Sequence, residues 1–171
     1  FVAENNLRVF TSLVASANER LSITSPYFVP DESLLYTLTT AAMRGVEVEL
    51  FVSETSDQFM VGHAQASYYR LLLESGVRIW RYPDPWILHS KHFTVDDTAA
   101  VIGSSNMDMR SFSLNYEISM IMLGPEIVAD MRTVEDQYRA ISKELTLDEW
   151  LKRSAGNKYL DNVFRLTSAL Q

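Results

Sequence analysis

One stretch of the sequence gathers side chains suited to chemistry on phosphate. It runs from His89-Ser90-Lys91 through Asp96 and Gly103-Ser104-Ser105-Asn106 to Glu117. His89 and Lys91 stand two apart on a predicted strand, so they share one face, and His92 points to the other. An imidazole beside an ammonium is not ordinary core packing, because a buried lysine needs a partner. The pair suits an anionic ligand such as a phosphodiester. Gly103 permits close backbone approach, and Ser104 and Asn106 can donate to phosphate oxygens. An attacking histidine needs one nitrogen free and the other held in a fixed tautomer. Glu117 is expected to orient it, as carboxylates do in catalytic triads. For Asp96 a capping or ion-pairing role competes with a chemical one. Asp96-Asp97 and Glu135-Asp136 are neighbours in sequence, not a ligand set, and no glycine-rich calcium loop is present. No metal and no cofactor are expected.

The flanking pattern says what must position these groups. Leu7, Phe10, Leu13, Val14 and Ala17 form one apolar helical face over residues 4–18. A short strand, Leu21 to Ser25, stops at Pro26-Tyr27-Phe28-Val29-Pro30, where two prolines force extended backbone. Asp31 is placed as the N-cap of a helix that runs to about Arg44 and ends at Gly45. Val46 to Val52 alternates as a strand, 57–75 reads as a helix stopped by Gly76, and Val77 to Tyr82 is a third strand. This alternation predicts an α/β fold, an α/β/α sandwich whose mixed β-sheet is flanked by helices. After Pro83-Asp84-Pro85 the predicted elements are strands at His89 to Val95 and Ala99 to Ile102, joined by a turn at Asp96-Asp97-Thr98. A strand at Glu117 to Leu123 and helices at about 125–144 and 147–153 follow. Residues 154–171 show only a few apolar anchors and are assigned no element. Tyr27 and Phe28 read as core, and Trp86-Ile87-Leu88 as strand burial rather than bilayer contact. Arg110 suits a headgroup contact or an ion pair equally.

Composition narrows the class. The chain has 171 residues, 47% of them apolar, which suits one domain spanning 1–171. There is no cysteine, so neither disulfides nor cysteine-ligated zinc holds the fold. The formal net charge is -7 and the basic residues are scattered, so no nucleic-acid partner is expected. No apolar run reaches the roughly 18 residues that span a bilayer. The chain opens at Phe1-Val2 without a methionine, as a piece of a longer protein would.

His-x-Lys, four spacers, Asp, six spacers and Gly-Ser-x-Asn match His89, Lys91, Asp96, Gly103, Ser104 and Asn106 position by position. This pattern resembles the signature of the phospholipase D superfamily. Ser25 to Glu32, Arg44-Gly45-Val46, Arg110-Ser111-Phe112, Leu114 to Glu117 and the closing Asn162 to Leu170 look like bacterial cardiolipin synthases, and the likeness covers nearly the whole chain. The resemblance implies metal-independent attack of a histidine on a phosphodiester, giving a phosphohistidine. It implies a second histidine as acid and then base, with Lys91, Ser104 and Asn106 holding the phosphoryl oxygens. The implied substrate is phosphatidylglycerol or a similar phospholipid, and the implied product is cardiolipin.

The chain carries one motif where a complete site needs two. His92 faces away, and His63 is followed two residues later by Gln65 rather than lysine. The second half-site is therefore expected from a missing N-terminal half of the same protein or from a second copy in a homodimer. In the first case this chain is the C-terminal half, and His89 is the acid/base. In the second either role is open to it. The full-length protein is expected at the cytosolic face of a bacterial cytoplasmic membrane, anchored through its missing N-terminal region, with this fragment soluble. The competing readings are a homodimeric one-motif phosphodiesterase or nuclease, and a non-catalytic phospholipid-binding domain.

Overall fold

The Asp31 carboxylate accepts the backbone N–H groups of Ser33 and Leu34, and so starts the second helix where the sequence places it. Gly45 and Gly76 close the helices before them at φ 95°, a conformation that disfavours any residue with a Cβ. The computed structural model describes residues 4–166, so the part of the synthase-like ending at 167–170 lies outside the described residues. Its elements in order are α1 (Asn5–Ala15), β1 (Arg20–Thr24), β2 (Phe28–Val29), α2 (Glu32–Met43), β3 (Glu47–Ser53), α3 (Phe59–Glu74) and β4 (Arg78–Tyr82). Then come β5 (His92–Val95), β6 (Ala99–Gly103), β7 (Met107–Asp108), α4 (Met109–Ser113), β8 (Ser119–Leu123), α5 (Pro125–Ile141), β9 (Lys143–Leu145), α6 (Leu147–Leu151) and α7 (Ala155–Arg165).

Seven strands form one mixed sheet in the order β8-β6-β5-β1-β3-β4-β9. β1, β3 and β4 are parallel, as their helical crossovers require, and the other pairings are antiparallel. Leu21, Ile23, Val48, Leu50, Ile79 and Phe93 alternate onto one face and meet Phe10 and Val14 of α1, Leu34 and Leu38 of α2, and Leu72 of α3. The opposite face carries Phe51, Trp80 and Leu88 against Tyr138 of α5. The chain is thus an α/β/α sandwich with a mixed sheet.

The structure departs from expectation at several places. The strand predicted from His89 begins only at His92. β1 pairs with β5 as far as Thr24 opposite His92, and its chain then turns away at Ser25-Pro26, so 89–91 has no ladder on that side. Trp86 is 68% exposed and only Leu88 of its tripeptide is buried, so the strand-burial reading fails for the tryptophan. β9 is an edge strand against β4, too short to show alternation in sequence. α7 covers the segment left without an element. It is anchored to α3 by a contact between His63 Nδ1 and Asp161 Oδ1 at 2.7 Å, which joins residues far apart in sequence.

Beneath α5, Glu135 is fully buried, accepts from Thr94 Oγ1 at 2.9 Å and lies 3.9 Å from His92 Nε2. Burial pushes Glu135 up to about 7 and His92 down to about 4, so both are neutral between those values. From pH 4.5 to 7 the unfolded chain releases the Glu135 proton and the folded chain keeps it. On this account stability falls as pH rises through that window. His92 acts oppositely, its contribution being lost as pH falls from 6.5 to 4. Glu135→Gln removes only the first effect. Its stability relative to the parent chain is expected to improve by about 3 kcal/mol between pH 4.5 and 8. Denaturant midpoints across that range measure this, and a difference independent of pH would show that Glu135 ionises normally in the fold.

Candidate active site

His89 and Lys91 leave the loop after Pro85 just before β5 and stand at the end of the sheet where β1 finishes and β6 ends. The Lys91 ammonium donates to the His89 carbonyl at 2.8 Å and lies 3.1 Å from His89 Nδ1 and 3.5 Å from Nε2. The shared face expected from strand parity is realised without a strand. The imidazole is exposed and Lys91 half-buried. Burial lowers the Lys91 pKa, while Glu117 and Asp108 oppose that shift through their charges. His92 faces away, with Ser90 Oγ 2.8 Å from its Nδ1.

The segment after β6 is brought alongside by its own hydrogen bonds. Gly103 N–H donates to Lys91 O at 3.1 Å, which ties the two halves of the motif together. A Cβ at Gly103 would lie 2.4 Å from Ile118 O and 2.8 Å from Ser119 Cα, so only glycine allows β8 to pass this close. Asn106 N–H donates to Ser111 Oγ at 3.2 Å, and its side-chain Oδ1 is buried with no hydrogen-bond partner. Met107 N–H donates to Ser25 Oγ at 3.2 Å, which pins β7 beside β2.

Two predicted site residues do not bond the His89 ring. Asp96 lies at the far end of β5, about 16 Å along the strand from Lys91 at ordinary strand rise. Its carboxylate accepts the N–H groups of Asn18, Glu19 and Arg20 at 2.8–2.9 Å. Burial raises its pKa, but those three bonds outweigh burial and hold it below the usual carboxylate range. Its φ of 46° makes it the turn residue of the β5–β6 hairpin. Here it closes a turn and does not approach the histidine. Glu117 is near, but it does not bond the imidazole. Ser104 Oγ donates to one of its oxygens, and Asn115 Nδ2 donates to the other at 3.3 Å. The Ser104 proton, expected to be free for phosphate, is therefore committed to Glu117. Arg110 stands exposed on α4.

Sequence reasoning missed Asp108 and Ser111. Asp108 is buried, caps α4 by accepting Ser111 N–H at 2.7 Å, and adds negative charge near Lys91. Asp-x-x-Ser is a recognisable helix-start pattern, but a helix of five residues leaves no periodicity to draw attention to it.

The family described as "Cardiolipin synthase, PLD-like domain" matches residues 10–138. The chain is similar to cardiolipin synthase A of Proteus mirabilis, 39% identical over 157 residues that cover 92% of this chain and 32% of that protein. Cardiolipin synthase A of Serratia proteamaculans is 41% identical over the same shares. The chain spans about a third of the length of these curated relatives. Among solved structures it superposes on phosphatidylserine synthase of Haemophilus influenzae with a TM-score of 0.77 at 20% identity, over 97% of this chain and 44% of that one. On Nuc, a phospholipase D family member of Salmonella typhimurium, the TM-score is 0.70 at 18% identity, over 82% of this chain and 90% of that one. At these identities the superpositions show the shared fold.

Proposed function

The chain belongs to the cardiolipin synthase phospholipase D-like domain family, and on that premise we propose that it supplies one of two half-sites of a phosphatidyltransferase making cardiolipin from phosphatidylglycerol. One histidine attacks phosphorus. The P–N bond forms, the P–O bond to the glycerol leaving group breaks, and the second histidine protonates that oxygen. A hydroxyl of the accepting lipid then attacks phosphorus, the P–N bond breaks, and its proton passes to the second histidine. Lys91 and Asn106 stabilise the phosphoryl oxygens as charge builds.

The observation that carries this reading is the Lys91 ammonium within 3.1 Å of the exposed His89 ring. With a preceding half supplying the nucleophile, His89 takes the acid/base role: as imidazolium it protonates the leaving oxygen, and as neutral imidazole it then accepts the proton of the incoming hydroxyl. The family likeness at 39–41% identity favours lipid over nucleic acid as substrate, as does the net charge of -7.

One sheet edge supports a docking place for the partner half. β8 is the edge strand next to Gly103, and Ile118, Met120 and Leu123 are exposed along it. An uncovered apolar edge invites pairing, and a second motif-bearing half seated there would stand beside His89. We assign that half to the same full-length protein, with this chain as its C-terminal catalytic domain. The full-length enzyme would work at the cytosolic face of a bacterial membrane through a region preceding this one. Among the described residues no helix is long and apolar enough to cross a membrane.

Phosphatidylglycerol in mixed micelles, with chelator present, tests the assignment across a wide range of concentrations of this chain. We expect no turnover until the preceding half is supplied. Turnover that rises faster than linearly with concentration and vanishes in His89→Ala would replace the missing half with a second copy of this chain.

A further inference from the structure

The void beneath Lys91 and Gly103 holds only about 10 Å³, too little for a ligand. A far larger cavity, about 430 Å³, opens beside the site between α3, β4 and α6. That is ample for a small polar ligand. It is walled entirely by this chain, so it exists without the second half.

The polar groups of this cavity are fixed by one another. His63 gives its Nδ1 to Asp161 at 2.7 Å, which leaves Nε2 as the nitrogen open to a ligand. Arg153 donates to the other Asp161 oxygen at 2.7 Å and stacks on Trp150, its guanidinium carbon 3.8 Å from the ring centre. Arg81 donates to Glu149 at 2.7 Å. Each guanidinium has five N–H groups, and one carboxylate apiece leaves most of each fork for acceptor oxygens. At the mouth stand Ser53 and Glu54. Ser53 Oγ accepts Leu88 N–H at 2.9 Å, so the rim of the cavity bonds the residue just before His89.

Two arginines offer donors suited to a phosphate, while Glu54 and the His63 nitrogen accept from hydroxyls. A bare anion would meet Glu54 and Glu149 as repulsion. A phosphodiester that also carries hydroxyls satisfies both sets. We propose that this cavity is a second headgroup site, which seats the phosphoglycerol head of the accepting phospholipid. Its phosphate lies on Arg81 and Arg153, and its terminal hydroxyls point toward the Ser53–Glu54 rim on the side of His89. The identity of the lipid rests on the phosphatidyl-transfer reading. The site itself does not need turnover.

The test is an NMR titration of the chain with glycerophosphoglycerol, following the Trp150 indole and Gly62 amide signals, with inorganic phosphate and glycerol as separate arms. Saturable shifts are expected for glycerophosphoglycerol, with either fragment at least about tenfold weaker. Arg153→Gln and Ala66→Phe should each abolish the shifts. The second fills the cavity without removing an ion pair, and so guards against a fold defect in the first. His89→Ala should bind as the parent does. The proposal is overturned by the absence of saturable shifts, by inorganic phosphate binding as tightly as the diester, or by shifts that survive Ala66→Phe. A failed transfer assay with binding intact would count against the reaction at His89 and leave this site standing, and a failed titration would do the reverse.

Discussion

Full-length enzyme carrying His89→Ala is expected to lose phosphatidyl transfer by about 10³-fold or more, with its melting temperature unchanged. A general acid/base contributes about 10²- to 10⁴-fold, and here the same group would serve both halves of the reaction. The imidazole is exposed, and its side-chain neighbour is the Lys91 ammonium, so its removal leaves no buried cavity and no stranded carboxylate. Activity and stability should therefore separate cleanly. Transfer of radiolabelled phosphatidyl groups measures the first, and a thermal melt the second. Retained turnover in a folded variant would sink the assignment of this half-site. Lost lipid binding together with lost turnover would instead favour a role in binding alone.

Glu49→Ala is expected to cost about 3–5 kcal/mol, the largest stability loss we foresee for a single polar residue here. Glu49 is fully buried in the middle of the sheet on the face beneath α5. Its carboxylate accepts Arg139 Nε at 2.9 Å and Nη2 at 2.6 Å, Trp80 Nε1 at 2.9 Å and Arg20 Nη2 at 3.1 Å. Removing it leaves an indole donor without an acceptor and two partly buried guanidinium groups without their counter-charge. That costs more than the net worth of the intact pairs. Burial raises the Glu49 pKa, but Arg139, Trp80 and Arg20 together outweigh burial and set it below the ordinary carboxylate value. Its contribution is therefore present in full above about pH 4.5 and is lost as pH falls through the lower, folded value. Chemical denaturation should show a wide gap between parent and variant at pH 7 that narrows in acid. A loss below about 1 kcal/mol at pH 7 would mean that the arginines find water or other partners at no cost.

The grouping of the candidate site residues was legible in the sequence because they lie close along the chain. His89, Lys91, Gly103 and Asn106 lie on two segments joined by a short hairpin, so distance along the chain nearly fixes distance in space. The alternation of helices and strands to Tyr82 was legible for a similar reason. Each parallel strand needs a crossover, and each crossover shows its own caps and apolar face. Reading failed where a partner from afar decided the outcome. Asp96 matches the motif as well as His89 does, yet three backbone N–H groups from residues 18–20 claim its carboxylate at the other end of the sheet. Glu117 has the right type and the right neighbourhood, yet Ser104 and Asn115 hold it.

By itself, then, the sequence determined the family, whose model matches residues 10–138, and the mixed α/β sandwich. These follow from local rules of side-chain type, strand period and helix capping. Only the tertiary structure decided that His89 and Lys91 meet in a loop where β1 can no longer pair, and that Asp96 serves the fold. It also decided that α7 packs on α3 through a His63–Asp161 contact spanning 98 residues. Those outcomes depend on which distant groups reach a given donor or acceptor first. A buried polar atom takes whatever partner packing brings to it, and nothing in its own segment names that partner.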